Sequence, residues 1–400
     1  MKLNEPYLII NLSDNKIIFF VVSYNDNKDY KLIKDIIIDA KGIKNGRIVD
    51  IELVAELIKK IINSIEDDLN HIFSKASVII NPNQVNCLNV NGYKKLNGSQ
   101  VSKEDITYIL NDIKKIVLAN EHKDSLVHLF NSNFSLDSDN LENLPIGLFG
   151  EFYNQSMAFF LVNKNVLKNL NLAFNKCGLK IDRTILKPYA DGVNYLIKNK
   201  NNINFTAITL EDKKINVSFF KNKSYVFTQD FDFGIDLIVN DISKLCSLTS
   251  EEVDFFLKEI DLKTALENNN ESYVDKFFFS SSPYRKIKYQ LILDIIVARL
   301  DELIEICIEK NINLNYLKNN NDTIYILIDK FEYFKNIQHA LQNNHLINLE
   351  FVFGKNIEDN SLSSLNGAAE LIGKGWEKEA IPVIQSRKSI ISTFFSNLFS

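Results

Sequence analysis

No apolar run in these 400 residues approaches the roughly 20 needed to span a bilayer, so a transmembrane anchor is not expected. The opening Met1-Lys2-Leu3-Asn4-Glu5-Pro6 has neither the basic start nor the cleavage site of a secretory signal, and a cytoplasmic chain is expected. Cysteine is scarce. Cys87, Cys177, Cys246 and Cys307 are far apart with no paired spacing, which excludes a disulfide framework or a zinc site and leaves buried free thiols. There is no excess of basic charge either: 46 Lys and Arg stand against 51 Asp and Glu, a net charge of -5, so nucleic acid is not expected as a partner. Phosphate-loop, dinucleotide, serine-hydrolase and zinc-protease signatures are all missing. His339 and His345 have no apparent third ligand, and Ser280-Ser281-Ser282-Pro283 reads as a loop and helix start rather than a nucleophile. No catalytic or metal site is expected.

What is present is a large core. Hydrophobic residues make up 46% of the chain, and the length suits two or more domains. Alternating apolar residues predict strands at 7–12, 16–22 and 30–38, separated by Asn/Asp-rich turns. Helical spacing of Ile51, Val54, Leu57, Ile58, Ile61, Ile62 and Ile65 predicts a helix over 50–71, followed by a strand at 76–80. The order recurs after residue 203, with strands at 205–209, 215–220 and 224–231, then helices, then a strand at 323–328. Two related α/β halves are implied. Residues 84–162, with a helix over 103–118, interrupt the first half. Helices over 235–245, 250–258 and 286–309 interrupt the second. From Gly373 to Gln385 periodicity fades, as in a linker.

The last fourteen residues have the order of a helix lying in a membrane surface. At about 100° per residue, Ile390, Ile391, Phe394, Phe395, Leu398 and Phe399 share one half of the circumference, and Ser392, Thr393, Ser396, Asn397 and Ser400 fill the other. Arg387 and Lys388 stand at its start, where they suit anionic headgroups. Burying such side chains is worth about 1.5–3 kcal/mol each, but ordering the backbone costs about 1–2 kcal/mol per residue. One copy should bind weakly, and many copies on one polymer firmly.

Several segments, in order, resemble the actin-like bacterial cell-division family FtsA. Gly42-Ile43-Lys44-Asn45-Gly46-Arg47-Ile48-Val49-Asp50-Ile51 resembles its "S-x-G-(I/V)-x-x-G-x-I-V-D-(I/L)" segment. Leu144-Pro145-Ile146-Gly147-Leu148-Phe149-Gly150 resembles its "D-P-(V/I)-G-M-x-G" turn. Asn169-Leu170, Cys177-Gly178-Leu179 and Leu186-Lys187-Pro188-Tyr189-Ala190 follow the family's "N-L…G-L…L-x-P-x-A". Val297-Ala298-Arg299-Leu300-Asp301-Glu302-Leu303 resembles its "A-R-x-E-E-(I/L)" helix, and Asn366-Gly367-Ala368 stands where the family has its last conserved helix.

The resemblance implies an α/β, actin-like (ribonuclease-H-like) two-domain fold with an inserted subdomain. The first domain would comprise 1–83 and 163–203 around an insert at 84–162. The second would comprise 204–234 and 298–372 around a helical insert at 235–297, followed by a linker at 373–386 and a membrane helix at 387–400. It also implies ATP and magnesium, self-association, other division proteins as partners, and the acidic tail of the tubulin-like FtsZ, for which Arg285, Lys286 and Lys288 are the candidate contacts. The nucleotide turns depart from the family. Asn11-Leu12-Ser13-Asp14 replaces D-x-G-(T/S), Thr209 to Asn216 replaces D-(I/L)-G-G-G-T-T-D, and Ile328-Asp329-Lys330-Phe331 replaces T-G-G-(G/A). Only Gly234 survives nearby. Asn11, Ser13, Asp14, Asp212, Lys213, Lys214, Gly234, Arg299 and Glu302 are the residues expected to line whatever nucleotide contact remains, with the two lysines partly compensating for the acids. ATP hydrolysis is expected to be lost. The alternatives are an active ATPase of the same superfamily and a scaffold resembling the pilus-assembly family PilM.

Overall fold

The computed structural model describes residues 5–141, 143–259, 273–316, 323–328, 349–351 and 357–380. Residues divide into two compact units. The first holds the chain up to Ile203, Phe220–Thr228 and the described residues from Ser363 on; the second holds Asn204–Phe219 and the described residues from Gln229 to Leu362.

In the first unit β1 (Tyr7–Leu12), β2 (Lys16–Tyr24) and β3 (Tyr30–Asp39) form the expected antiparallel meander. β6 (Lys75–Ile80) joins β1 in parallel, and β11 (Lys180–Leu186) joins β6 in parallel, giving the order β11-β6-β1-β2-β3. Every residue of β1 is buried, as a central strand covered on both faces requires. Helix α1 (Ile51–Leu69) starts where the Asp50 side chain accepts from the Leu53 amide, and it buries Val54, Ile58, Ile62 and Ile65 at helical spacing. Just before it, β4 (Ile43–Lys44) and β5 (Arg47–Ile48) form a small hairpin. Its two turn residues, Asn45 and Gly46, both have positive φ (53° and 64°), the pair a type I′ turn demands.

The first insertion is a four-stranded antiparallel sheet of β7 (Asn86–Lys95), β8 (Asp124–Leu136), β9 (Asp139–Leu141) and β10 (Phe152–Asn163), in the order β7-β10-β8-β9. Helix α2 (Lys103–Asn120) begins in a reciprocal capping box between Ser102 and Asp105 and packs on one face of this sheet. It lies close at Gly92, where a Cβ would stand 2.3 Å from Ile113. The chain returns through α3 (Lys164–Lys176), β11 and α4 (Lys187–Lys198).

A second five-stranded sheet repeats the strand plan. β12 (Phe205–Leu210), β13 (Ile215–Lys221), β14 (Ser224–Phe231), β15 (Thr323–Ile328) and β16 (Leu349–Phe351) are ordered β14-β13-β12-β15-β16, with β12, β15 and β16 parallel. Helices α5 (Asp236–Cys246), α6 (Ser250–Glu259) and α7 (Tyr289–Ile304) form the second inserted block.

Two expectations are corrected. The last described helix, α8 (Ile357–Lys374), belongs from Ser363 onward to the first unit, not the second half. The Tyr24 hydroxyl donates to the Ala369 carbonyl at 2.8 Å, Asn194 Nδ2 donates to Ser363 Oγ at 3.0 Å, and Gly367 lies so close to α4 that a Cβ would meet the Ala190 oxygen at 1.9 Å. The expected linker also starts later than residue 373, because Trp376–Ala380 are bonded into the first unit. Among the described residues no helix is long and apolar enough to cross a membrane. Arg387, Lys388, Ile390, Ile391, Phe394, Phe395, Leu398 and Phe399 lie outside the described residues, as do Asp329, Lys330, Phe331, His339 and His345. All four cysteines are free thiols; Cys246 and Cys307 are buried, whereas Cys87 and Cys177 are half-buried.

Candidate functional site: strand turns closed from within

In the first unit the β1–β2 turn is held by Ser13, whose hydroxyl donates to the Lys16 carbonyl at 2.8 Å and accepts from the Lys16 amide at 3.1 Å. The next residue, Asp14, faces the β4–β5 hairpin. Its two carboxylate oxygens accept from the amides of Asn45 (2.6 Å) and Gly46 (2.7 Å). Successive amides in such a turn make a ready anion site, and here the anion is a side chain of the same protein. Asn11 is buried near the end of β1; its Nδ2 donates to Ser364 Oγ at 3.4 Å, and its Oδ1 has no hydrogen-bond partner among the described residues. Asn11 is uncharged where the resemblance implies an aspartate.

In the second unit Glu211, Asp212, Lys213 and Lys214 form a tight turn closed by the Glu211 amide donating to the Lys214 carbonyl at 2.9 Å. The carbonyls of Glu211 and Asp212 accept from the amides of Ile235 (3.0 Å) and Asp236 (2.9 Å), so this turn takes up the first amides of α5. Gly234 makes the approach possible. A Cβ there would stand 2.2 Å from the Glu211 oxygen. Lys213 is exposed, whereas Lys214 is buried with Asp230, Nζ to Oδ1 3.1 Å. Asn216 also donates to Asp230 at 2.8 Å. Burial pushes the Asp230 carboxyl up, against the pull of Lys214 and Asn216. Lys214 therefore serves a buried pair rather than standing open to phosphate. Arg299 and Glu302, expected at the nucleotide, bind each other at 2.6 Å, while Arg299 Nε also engages Asp241 on α5. They tie α7 to α5.

The expected partner residues are brought together, although not on a helix. α7 begins at Tyr289 and runs to Ile304, followed by a π-helical turn over Glu305–Glu309. Arg285, Lys286 and Lys288 precede it in an extended arm, fixed by the Val274 amide donating to the Ile287 carbonyl at 2.8 Å and by a Tyr273–Lys288 bridge. Ile287 points inward and the three basic residues are exposed. Tyr284 directly precedes the arm and Leu291 follows it, both exposed, and the same unit exposes Phe255 and Phe277 (74%), whose ring centroids are 5.5 Å apart. A basic arm next to aromatic surface is suited to an acidic peptide with apolar anchors.

Two buried carboxylates lie outside the residues expected at a site. Glu252 accepts from the amides of Ser281 (2.7 Å), Ser282 (2.8 Å) and Thr249 (2.9 Å) and from the Ser282 hydroxyl, so the serine run clamps α6 instead of starting a helix. Thr249 and Glu252 are a capping box, a signal legible in the spacing. Burial raises the Glu252 carboxyl, and these hydrogen bonds reverse the effect and hold it at about 2. Glu379, in the first unit, is surrounded by His128, Arg183 and Tyr189, and no local pattern announces it.

No family model matches the chain. Curated relatives do. The cell division protein FtsA of Buchnera aphidicola (subsp. Schizaphis graminum) is 21% identical over 297 residues, which cover 74% of this chain and 71% of that one. FtsA of Bacillus subtilis is 22% identical over 312 residues, 78% and 70% of the two chains. Among solved structures, one of a PilM-PilN type IV pilus biogenesis complex superposes with a TM-score of 0.59 at 11% identity, covering 92% of this chain and 99% of that one. By sequence, then, the chain is similar to the cell-division protein FtsA over most of its length, and its fold is actin-like.

Proposed function

We propose that this protein is a non-enzymatic adaptor of the division machinery, which ties FtsZ filaments to the inner face of the cytoplasmic membrane at the division site. Residues 387–400 supply the lipid contact, the basic arm of the second unit receives the acidic FtsZ tail, and self-association supplies avidity. Collinear likeness to curated FtsA chains over most of the length is the observation that carries it. The basic arm, in the unit that also exposes Phe255, Phe277 and Tyr284, supports the partner assignment. The closed turns support loss of ATP hydrolysis: the amides of Asn45, Gly46, Ile235 and Asp236 are already engaged, and acids stand where a polyphosphate would lie. Assembly is then driven by protein contacts, without a nucleotide switch.

Co-sedimentation with anionic vesicles tests this, comparing the full chain with one truncated after Gln385, with and without FtsZ. The full chain should pellet and carry FtsZ, and the truncation should do neither. If both forms stay in solution, the tether is wrong and the PilM-like scaffold, which shares the fold, takes its place. ATP turnover lost on changing Asn11 or Asp212 would instead restore the active enzyme.

A further inference from the structure

We infer that residues 376–380 form a strap, bolted by the Glu379 side chain, that fastens the inserted sheet to the core of the first unit and fixes the point from which residues 381–400 continue. Each strap residue is engaged. Trp376 Nε1 donates to the Lys223 carbonyl at 2.8 Å, and Glu377 pairs with the Lys223 ammonium at 3.7 Å. The Lys378 carbonyl accepts from the Asn131 amide at 2.9 Å, and the Ala380 amide donates to the Leu129 carbonyl at 2.7 Å. Those two bonds add the strap to the edge of β8 as a short extra strand, bridged at Phe130 and Glu379. Ala380 is buried among the apolar residues between α2 and the inserted sheet.

Glu379 joins three elements at once. One oxygen accepts from His128 Nδ1 on β8 (2.8 Å), and the other accepts from Arg183 on β11 and from the Tyr189 hydroxyl on α4 (3.0 Å). The proton arrangement is determined by the surroundings. His128 Nε2 accepts from the Leu186 amide at 3.1 Å, so the ring hydrogen must sit on Nδ1, facing Glu379. The pocket therefore presents three donors, and a carboxylate satisfies all of them. A glutamine would bring its own N–H toward one of the three, leaving donor facing donor in a buried site. Arg183 is fixed on its far side by donating to the Leu371 carbonyl of α8 at 3.2 Å. Pulling on the chain beyond Ala380 thus loads β8, β11 and α4 together, and the insert is held by the strap in addition to its two covalent crossings. Releasing the strap would move the chain's point of departure back to Gly375, freeing about 17 Å of extended backbone. None of this depends on what residues 387–400 bind.

Amide hydrogen exchange on the full chain tests the strap, comparing wild type with E379Q. In wild type the amides of Asn131 and Ala380 should be protected. In E379Q their exchange should accelerate on the order of a hundredfold, as expected when a buried ionic partner is removed; amides of the inserted sheet should follow, while those of β1 and β2 do not. Unchanged protection in E379Q, rapid exchange in wild type, or a response confined to the strap would each overturn the inference. Should E379Q fail to fold, A380P removes the N–H donated to Leu129 and restricts the backbone on either side of it, while leaving the Glu379 side chain unchanged. It should open residues 376–380 to limited proteolysis, and an A380P chain as resistant as the wild type would equally count against the strap.

Discussion

Gly234 and Glu211 are packed backbone to backbone, with space for a Cβ at 234 only 2.2 Å from the Glu211 oxygen. The glycine that survives here serves the protein's own turn, because its closeness lets the amides of Ile235 and Asp236 reach the carbonyls of Glu211 and Asp212. Gly234→Ala should therefore destabilise the second unit by about 1–3 kcal/mol, the usual range for overpacking against atoms that cannot yield. Urea unfolding should show the loss. A neutral substitution would mean that the turn is free to retreat.

Asp14 fills the place of an external anion over Asn45 and Gly46. Asp14→Asn keeps one acceptor and loses the charge, and it should cost about 1 kcal/mol given the exposure of the site. Calorimetric titration with ATP and magnesium should show no binding for wild type or variant. Heat of binding appearing in the variant alone would identify Asp14 as the plug of a site that is otherwise competent.

Glu252 gives the second unit an acid-sensitive clamp. Its carboxyl is near 2 in the fold, against an ordinary value of 4.5, because hydrogen bonds from Ser282, Thr249 and Ser281 outweigh the effect of burial. A depressed folded value means that the unfolded chain takes up the proton first on acidification. The stabilisation is complete above about pH 4.5 and is lost as pH falls toward 2. In Glu252→Gln this share of the pH dependence between those values should vanish, as followed by thermal unfolding at each pH.

Arg299 carries its charge to Asp241 and Glu302, so it is expected to act in stability rather than in nucleotide contact. Arg299→Ala should lower unfolding stability by about 1 kcal/mol, discounted for partial exposure. Vesicle capture and FtsZ capture should be unchanged. A selective loss of either would give the residue a functional role.

Both strand meanders, α1, α2, α5 and α6 were legible in the sequence because apolar periodicity and local caps set them. The start of α7 was not. Apolar spacing continues back through Ile287, and the pairing of Val274 with Ile287 and of Tyr273 with Lys288, outside any helical period, keeps that arm extended. Lys214 looked free for phosphate because its partner, Asp230, lies on β14, beyond the hairpin. The stretch after Gly373 looked like a linker because Glu379 finds its partners on β8, β11 and α4, hundreds of residues earlier, and no spacing within the segment records them.

Phe277 offers the cleanest separation of binding from folding on the second unit. It is 74% exposed and its ring meets those of Phe255 and Phe278, so removing it withdraws little buried area from the fold. An exposed aromatic in the unit that carries Arg285 and Lys286 is, however, the kind of anchor that dominates capture of an acidic peptide. Phe277→Ser should leave urea unfolding within about 0.5 kcal/mol of wild type and reduce FtsZ capture on vesicles about tenfold, whereas reversing Arg285 to Glu should weaken capture most strongly at low salt. If Phe277→Ser binds as wild type while the Arg285 variant fails, the contact is electrostatic alone and the aromatic surface serves another partner.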